Sequence, residues 1–318
     1  MCSSNDLPGT SFIHAAIKRG WKVVVHNRPG HVEPLTTPQF SVFGDWRDVE
    51  VAVRHIRKQH PKSHLAAVGF SAGVFPLLRY LEKTGSESGI DAAVSVSGSI
   101  QLQGSLDNCW WLFEKIFLSE AKQFFFAKNE MILRTHDTAA YDACMAATQS
   151  EQFLRACTPF IMGDVNGTWE DVQHLLDPFP AMMDIKTPIL FLNALDDPIS
   201  PIDPNHYDAI FRTNPHLLLA LSPTGSHCPF LNGCFSPEDY SMTTSLEFIA
   251  HQVQLSSVRK NATSVANKVK LKRLYQSFSP EDKNKKPTFS PRTNALRKRV
   301  PLGVVPVNSP SSVGVGGN

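Results

Sequence analysis

Ser71 sits in the pentapeptide Gly69-Phe70-Ser71-Ala72-Gly73, after the apolar run Leu65-Ala66-Ala67-Val68 and before Val74-Phe75-Pro76-Leu77-Leu78-Arg79-Tyr80-Leu81. Strand, Gly-x-Ser-x-Gly, helix is the pattern of a nucleophile elbow, a turn so sharp that the serine hydroxyl stands clear at the top of a sheet. The turn strains the serine backbone and asks for small residues two positions to either side, which glycine supplies by having no Cβ. A serine hydroxyl is a weak nucleophile until a base takes its proton. That base is usually histidine, held in one tautomer by a buried carboxylate. On such elbows the carboxylate and then the histidine follow the serine along the chain. The apolar run Ile189–Asn193 leads into Ala194-Leu195-Asp196-Asp197-Pro198, with two consecutive aspartates at its carboxyl end. Leu217–Leu221 leads into Ser222-Pro223-Thr224-Gly225-Ser226-His227, and of the 12 histidines only His227 lies in the loop directly after the last strand-like run. Taken singly, each has a plainer reading: a chance match to the Gly-x-Ser-x-Gly pattern, a solvated turn with a helix-capping aspartate, a loop histidine. Their order is what raises them together.

These residues need a frame to meet in. Residues 10–19 read as a helix, and Trp21–His26 as a short β-branched run of the kind found in buried parallel strands. Residues 44–59 place Val49, Val53 and Ile56 at helical spacing, and Pro61 closes that helix. Further strands are expected at Ala92–Val96, Ile189–Asn193 and Leu217–Leu221, with a final helix over 239–254. Strands alternating with helices predict βαβ units and a parallel sheet covered on both faces, of about five or six strands. The interval 100–180 breaks this rhythm. It is aromatic and helical in flavour, with Trp110, Trp111, Phe113, Phe124, Phe125, Phe126, Phe153, Phe160 and Trp169. It reads as a cap inserted over the sheet, its aromatics forming mostly cap core and in part a wall facing the pocket.

Composition narrows the class. No run of 18 apolar residues and no leader of the charged-then-apolar kind is present, so the chain reads as cytoplasmic or peripherally membrane-associated. The 6 cysteines lack the paired spacing of a metal site and read as reduced thiols. Charge is divided sharply. Residues 1–255 hold 18 Lys and Arg against 27 Asp and Glu, a net −9, while residues 256–318 hold 13 against only Glu281 and Asp282, a net +11. The basic tail, rich in Ser, Pro and Gly, has the composition of a disordered segment. Its plain reading is a solvated tail, and its alternative is contact with an anionic membrane or a nucleic acid. Nothing else in the chain suggests nucleic-acid recognition.

Several segments together resemble the YheT-like branch of the α/β-hydrolases, which includes medium-chain esterases and abhydrolases acting on phospholipids and acylglycerols. Arg19-Gly20-Trp21-Lys22-Val23-Val24-Val25-His26-Asn27-Arg28 is similar to that branch's R-G-Y-x-V-V-V-F-N-x-R-G segment, and Leu35-Thr36-Thr37-Pro38 to its L-x-T-P loop. Asn193-Ala194-Leu195-Asp196-Asp197-Pro198 resembles its N-A-x-D-D-P, Gly225-Ser226-His227 stands where it has G-G-H, and Phe230-Leu231-Asn232-Gly233 resembles its F-L-E-G. The match runs from about residue 7 to 254. It implies that Asp197 is the triad acid and Asp196 a neighbouring structural carboxylate, a choice that spacing leaves open. It also implies that the Ala72 N–H is one donor of the oxyanion hole. Two departures stand out. Val74 replaces a glycine at the start of the helix after the elbow. The loop that supplies the second oxyanion donor has no clear counterpart: Leu7-Pro8-Gly9 is either its remnant or lies just downstream of it, with the first strands absent.

The expectation is therefore an α/β-hydrolase domain over 1–255 with a helical cap at about 100–180 and a basic tail over 256–318. The expected activity is a serine esterase or lipase acting on apolar acyl esters through Ser71, Asp197 and His227, with acyl transfer to an alcohol as a variant. No metal or organic cofactor is needed for that chemistry. The expected partners are a small acyl ester or lipid and, through the tail, a membrane surface. The alternative is a catalytically impaired hydrolase fold that binds a lipid or a protein.

Overall fold

Ala66–Phe70 (β1), Ala92–Val96 (β2), Ile189–Ala194 (β3) and Leu217–Ser222 (β4) lie side by side in that order as one parallel sheet in the computed structural model. The structure describes residues 7–164, 166–228, 230–232 and 238–277. Every residue of β2 and β3 is buried. That is the condition under which a parallel strand reads as a continuous apolar run. Ala93, Ile189 and Phe191 face one side, against helix α2 (Trp46–Gln59) and helix α3 (Val74–Thr84). Val94, Val96, Leu190 and Leu192 face the other, against Phe248, Ile249 and Val253 of the last helix (Tyr240–Ser277). The sheet is thus covered on both faces, as the alternation of strands and helices requires. Helix α1 (Leu7–Lys18) adds Phe12 and Ala16 on that second side, beside Trp21, Val68 and Phe70.

The strands at Ala92–Val96, Ile189–Ala194 and Leu217–Ser222 match the sequence expectation to within one residue. Trp21–His26 does not. It joins no ladder, and the main sheet has four strands among the described residues. Trp21 and Val23 pack against the cluster of Phe12, Ala16 and Leu246, but Val24 and Val25 remain 64% and 43% exposed. A parallel strand is held by partners on its edges and cover on both faces, and this segment has cover on one face only. The β1 residues are correspondingly less buried than those of β2.

Helix α2 starts where Asp45 accepts a hydrogen bond from the Arg47 N–H at 2.8 Å, a side-chain cap. Helix α3 is buried at every position from Val74 to Leu81, which makes it the central helix of the fold. Its Arg79 reaches across to donate to the Leu175 and His174 carbonyls at 3.1 and 2.7 Å.

Between β2 and β3 the described chain is helical: α4 (Leu102–Asn108), α5 (Trp111–Glu120), a π-helical turn (Ala121–Phe126), α6 (Glu130–His136), α7 (Thr138–Ala146), α8 (Ser150–Ala156), α9 (Thr158–Met162) and α10 (Trp169–Leu176). These helices share a core of their own, with Phe126, Phe160, Leu133 and Ile161 sealed from solvent. Full burial of a phenylalanine contributes roughly 1.5–3 kcal/mol. Leu35, Phe40 and Phe75 join that core from outside the interval, and Asn129 accepts a hydrogen bond from the Leu35 N–H at 2.8 Å. The aromatics divide: Phe125, Phe126, Phe153 and Phe160 are core, whereas Trp110, Trp111 and Phe124 are 49%, 56% and 70% exposed.

After β3 come α11 (Pro204–Thr213), β4, and a two-residue antiparallel pair, β5 (Leu231–Asn232) with β6 (Glu238–Asp239). The last helix, α12 (Tyr240–Ser277), runs well past the expected end at 254. By its contacts the chain divides into two units, Met1–Ser264 and Val265–Asn318. Of the second unit only the helical residues 265–277 are described; the rest of the basic tail, and Gly233 of the motif after His227, lie outside the described residues.

Candidate active site

Ser71 stands at the carboxyl end of β1, in a single 3-10 turn over Ser71–Gly73 that opens directly into α3. Its φ is +48°, the left-handed region that costs a residue with a side chain roughly 1–2 kcal/mol. The two flanking glycines are not equivalent. A Cβ on Gly69 would lie 3.0 Å from the Gly73 carbonyl oxygen and 3.0 Å from the Val74 Cα, both backbone atoms. A Cβ on Gly73 would meet nothing within 4 Å. The small-residue requirement therefore falls on Gly69 alone. Val74 is fully buried and faces Gly98, where a Cβ would stand 2.6 Å from the Val74 Cβ. The valine that departs from the family pattern thus has its space provided by a glycine beyond β2.

Asp197 is set by the turn that ends β3. Its carboxylate is sealed from solvent and accepts hydrogen bonds from the Ile199 and Ser200 N–H groups at 2.8 and 2.9 Å. Asp196 points elsewhere: it accepts from the Ser226 N–H at 2.8 Å. The two aspartates left open by spacing are therefore separated by geometry. His227 follows β4 on a loop anchored by Phe230, itself fully buried. A Cβ on Gly225 would fall 2.6 Å from the Phe230 ring, so this loop too needs a glycine for packing.

The three side chains converge from positions 156 and 30 residues apart. His227 Nδ1 lies 2.9 Å from Asp197 Oδ2 and 3.1 Å from Oδ1, and His227 Nε2 lies 2.7 Å from Ser71 Oγ. Asp197 has only acceptors to offer, so the network assigns the proton to Nδ1 and leaves the Nε2 lone pair facing the serine hydroxyl. Burial pulls the His227 pKa down, but the Asp197 hydrogen bond, followed by the Cys228 thiol, outweighs it and raises the pKa from 6.5 to about 9. Ala72 is the second residue of the turn, and the first amides of a helix have no acceptor within it. Leu7-Pro8-Gly9, the segment weighed as a loop remnant, forms the first turn of α1.

One participant had no signal in the sequence. Ser97, just after β2, is fully buried, and its hydroxyl accepts a hydrogen bond from the Cys228 N–H at 2.9 Å. Its neighbours Val96 and Gly98 read only as the end of a strand. Among the described residues four non-glycines have positive φ, Ser71, Ser97, Ser226 and Cys228, and all four belong to this site. Among the described residues no group of three or more His, Cys, Asp or Glu is placed to hold a metal ion. A small cavity of about 10 Å³ lies within the helical core, lined by His31, Phe40, Val42, Ala121, Phe125, Phe126 and Phe153, apart from the three converging residues.

The chain matches no protein-family model. It is similar to individual proteins. It is 30% identical over 219 residues to human Protein ABHD15, covering 68% of this chain and 46% of that protein. It is 29% identical over 227 residues to human Phospholipase ABHD3, covering 70% and 54%. It is 27% identical over 238 residues to YheT of Escherichia coli (strain K12), covering 73% and 68%. The chain spans about half the length of the two human relatives.

Proposed function

The chain belongs to the abhydrolase-domain branch of the α/β-hydrolase superfamily, and from that premise we propose that it is a serine hydrolase cleaving carboxylic esters of apolar acyl groups. The observation that carries this is the unbroken line Ser71 Oγ, His227, Asp197, with contacts of 2.7 and 2.9 Å. His227 Nε2 takes the Ser71 proton as the oxygen attacks the ester carbonyl. The tetrahedral intermediate collapses, and the imidazolium returns the proton to the leaving alcohol. Water then enters and attacks the acyl carbon as His227 takes its proton, and the imidazolium returns that proton to Ser71 Oγ as the acyl bond breaks and the acid leaves; an alcohol in place of water gives acyl transfer. Asp197, pinned by two backbone amides, orients the imidazole and stabilises its charged form. Ala72 donates its N–H to the developing oxyanion, a contact whose loss costs on the order of 10²–10³ in turnover.

The apolar acyl preference rests on the aromatic helical interval between β2 and β3, read as the cap over the site, and on the human relative that is a phospholipase by name. The test is turnover of p-nitrophenyl esters of increasing acyl length by the wild-type chain and by Ser71→Ala. Hydrolysis that grows with chain length and vanishes in the variant is expected. A folded chain without turnover on any ester supports the alternative, an impaired hydrolase fold that binds a lipid or protein.

The basic tail carries a second, separate proposal, contact with an anionic membrane surface, supported by its net charge of +11 against −9 for the preceding residues. No described helix is long and apolar enough to cross a membrane. Deleting residues 256–318 should abolish binding to vesicles containing phosphatidylserine; unchanged binding defeats the proposal.

A further inference from the structure

Two backbone amides flank His227, and each is held by a side chain from a different part of the chain. The Ser226 N–H donates to Asp196 Oδ1 at 2.8 Å, and the Cys228 N–H donates to Ser97 Oγ at 2.9 Å. Both flanking residues are non-glycines with left-handed backbone, φ +51° and +73°. Such conformations persist only where the surroundings over-determine them. His227 is the residue between them.

The Ser97 end of this arrangement is itself fixed. Asn193, at the end of β3, donates from Nδ2 to the Gly98 carbonyl at 3.0 Å. Asn193 is sealed from solvent, and its Oδ1 has no partner among the described residues. The Ser97 N–H donates to the Leu192 carbonyl at 2.9 Å. On its other side Gly98 abuts Val74, the first residue of α3. The pair Ser97-Gly98 is thus wedged between the helix that follows the nucleophile and the strand that leads to the acid, with the Ser97 hydroxyl on the amide next to the base.

We propose that Ser97 is a positioning residue for His227, acting through the Cys228 amide, and that with Asp196 it forms a two-armed clamp that sets the imidazole against Ser71. The clamp rests on the reading of Ser71, His227 and Asp197 as the reacting set. Both arms bond backbone amides beside His227 rather than its imidazole or Ser71. Their effect is on how often His227 Nε2 faces Ser71 Oγ, so they act on the rate of the chemical step and leave substrate binding alone.

The test uses the full chain and a fluorophosphonate, with the labelling rate followed by intact mass to separate kinact from KI. Ser97→Ala is expected to lower the plateau value of kinact, read above pH 9 where His227 is neutral in both chains, about tenfold with KI unchanged. It should also move the ascending limb of the pH profile down toward 6.5, because a loosened imidazole loses the Asp197 bond. Ser97→Thr keeps an acceptor oxygen and is expected to stay within about threefold of wild type. Asp196 is exposed, so Asp196→Ala should keep its melting temperature while kinact falls about threefold. This variant decides the matter if Ser97→Ala does not fold. The double variant should lose less than the product of the two single losses, because both arms hold one histidine. A folded Ser97→Ala or Asp196→Ala that labels at the wild-type rate overturns the clamp, as does a loss carried by KI or exact multiplicativity of the two. If instead the wild-type chain takes no label, the serine-hydrolase reading fails and the clamp falls with it.

Discussion

The turn that presents Ser71 and the loop that presents His227 both hold non-glycine residues in left-handed backbone, yet they are held by different means. The elbow is held from within. The six residues from Gly69 to Val74 do the work, because Gly69 lies so close to the backbone of Gly73 and Val74 that the chain has little freedom to relax. The histidine loop is held from outside, by Asp196 from 30 residues away and Ser97 from 131 residues away. Local steric closure depends on a few neighbouring residues and is robust to changes elsewhere. A loop held by distant side chains is precise only when the sheet has brought β2 and β3 into register. The site therefore combines a self-contained nucleophile with a base whose aim depends on the whole fold.

Removing the base should have the largest effect. His227→Ala is expected to lower ester turnover by about 10⁴–10⁶ while leaving the melting temperature near that of wild type. Asp197→Asn should follow, with a loss of about 10³–10⁴, because an amide no longer favours the tautomer whose Nε2 faces Ser71. A loss of only a few-fold would place the acid elsewhere. The third expected effect is on pH. His227 must be neutral to accept a proton, and its pKa is raised from 6.5 to about 9. Turnover should therefore climb about tenfold per unit of pH below that value and level off above it. A plateau already reached at pH 7 contradicts the raised value.

The two glycines of the elbow sharpen the comparison further. Gly69→Ala should destabilise the chain by about 1–3 kcal/mol and slow labelling of Ser71, since only backbone can give way. Gly73→Ala should change stability by no more than about 0.5 kcal/mol. Equal behaviour of the two variants in thermal melts would mean that the elbow is not closed by the Gly69 contact.

The difference between the two loops also explains what could be read from the sequence. The elbow was legible because its determinants are contiguous: Gly69, Ser71 and Gly73 mark it, even though the structure assigns the steric need to Gly69 alone. β2 and β3 were legible because strands buried on both faces must be apolar throughout. Ser97 was not legible, since its hydroxyl matters only through an amide 131 residues away. Asp197 and Asp196 could not be separated by spacing, because adjacent residues at a strand end differ in direction rather than in position. Trp21–His26 misled for a related reason. Its β-branched pattern reports a preference for extended backbone, but a strand also needs a partner edge, and this segment pairs with no strand among the described residues.

The central claim is that Ser71 is a nucleophile activated by His227 and Asp197. The most direct measurement is the mass of the folded chain after treatment with a fluorophosphonate, followed by mapping of the adduct. One adduct on the peptide containing Ser71, absent from Ser71→Ala, is the result this account predicts. A folded wild-type chain that remains unmodified, or an adduct that persists in Ser71→Ala, would contradict it.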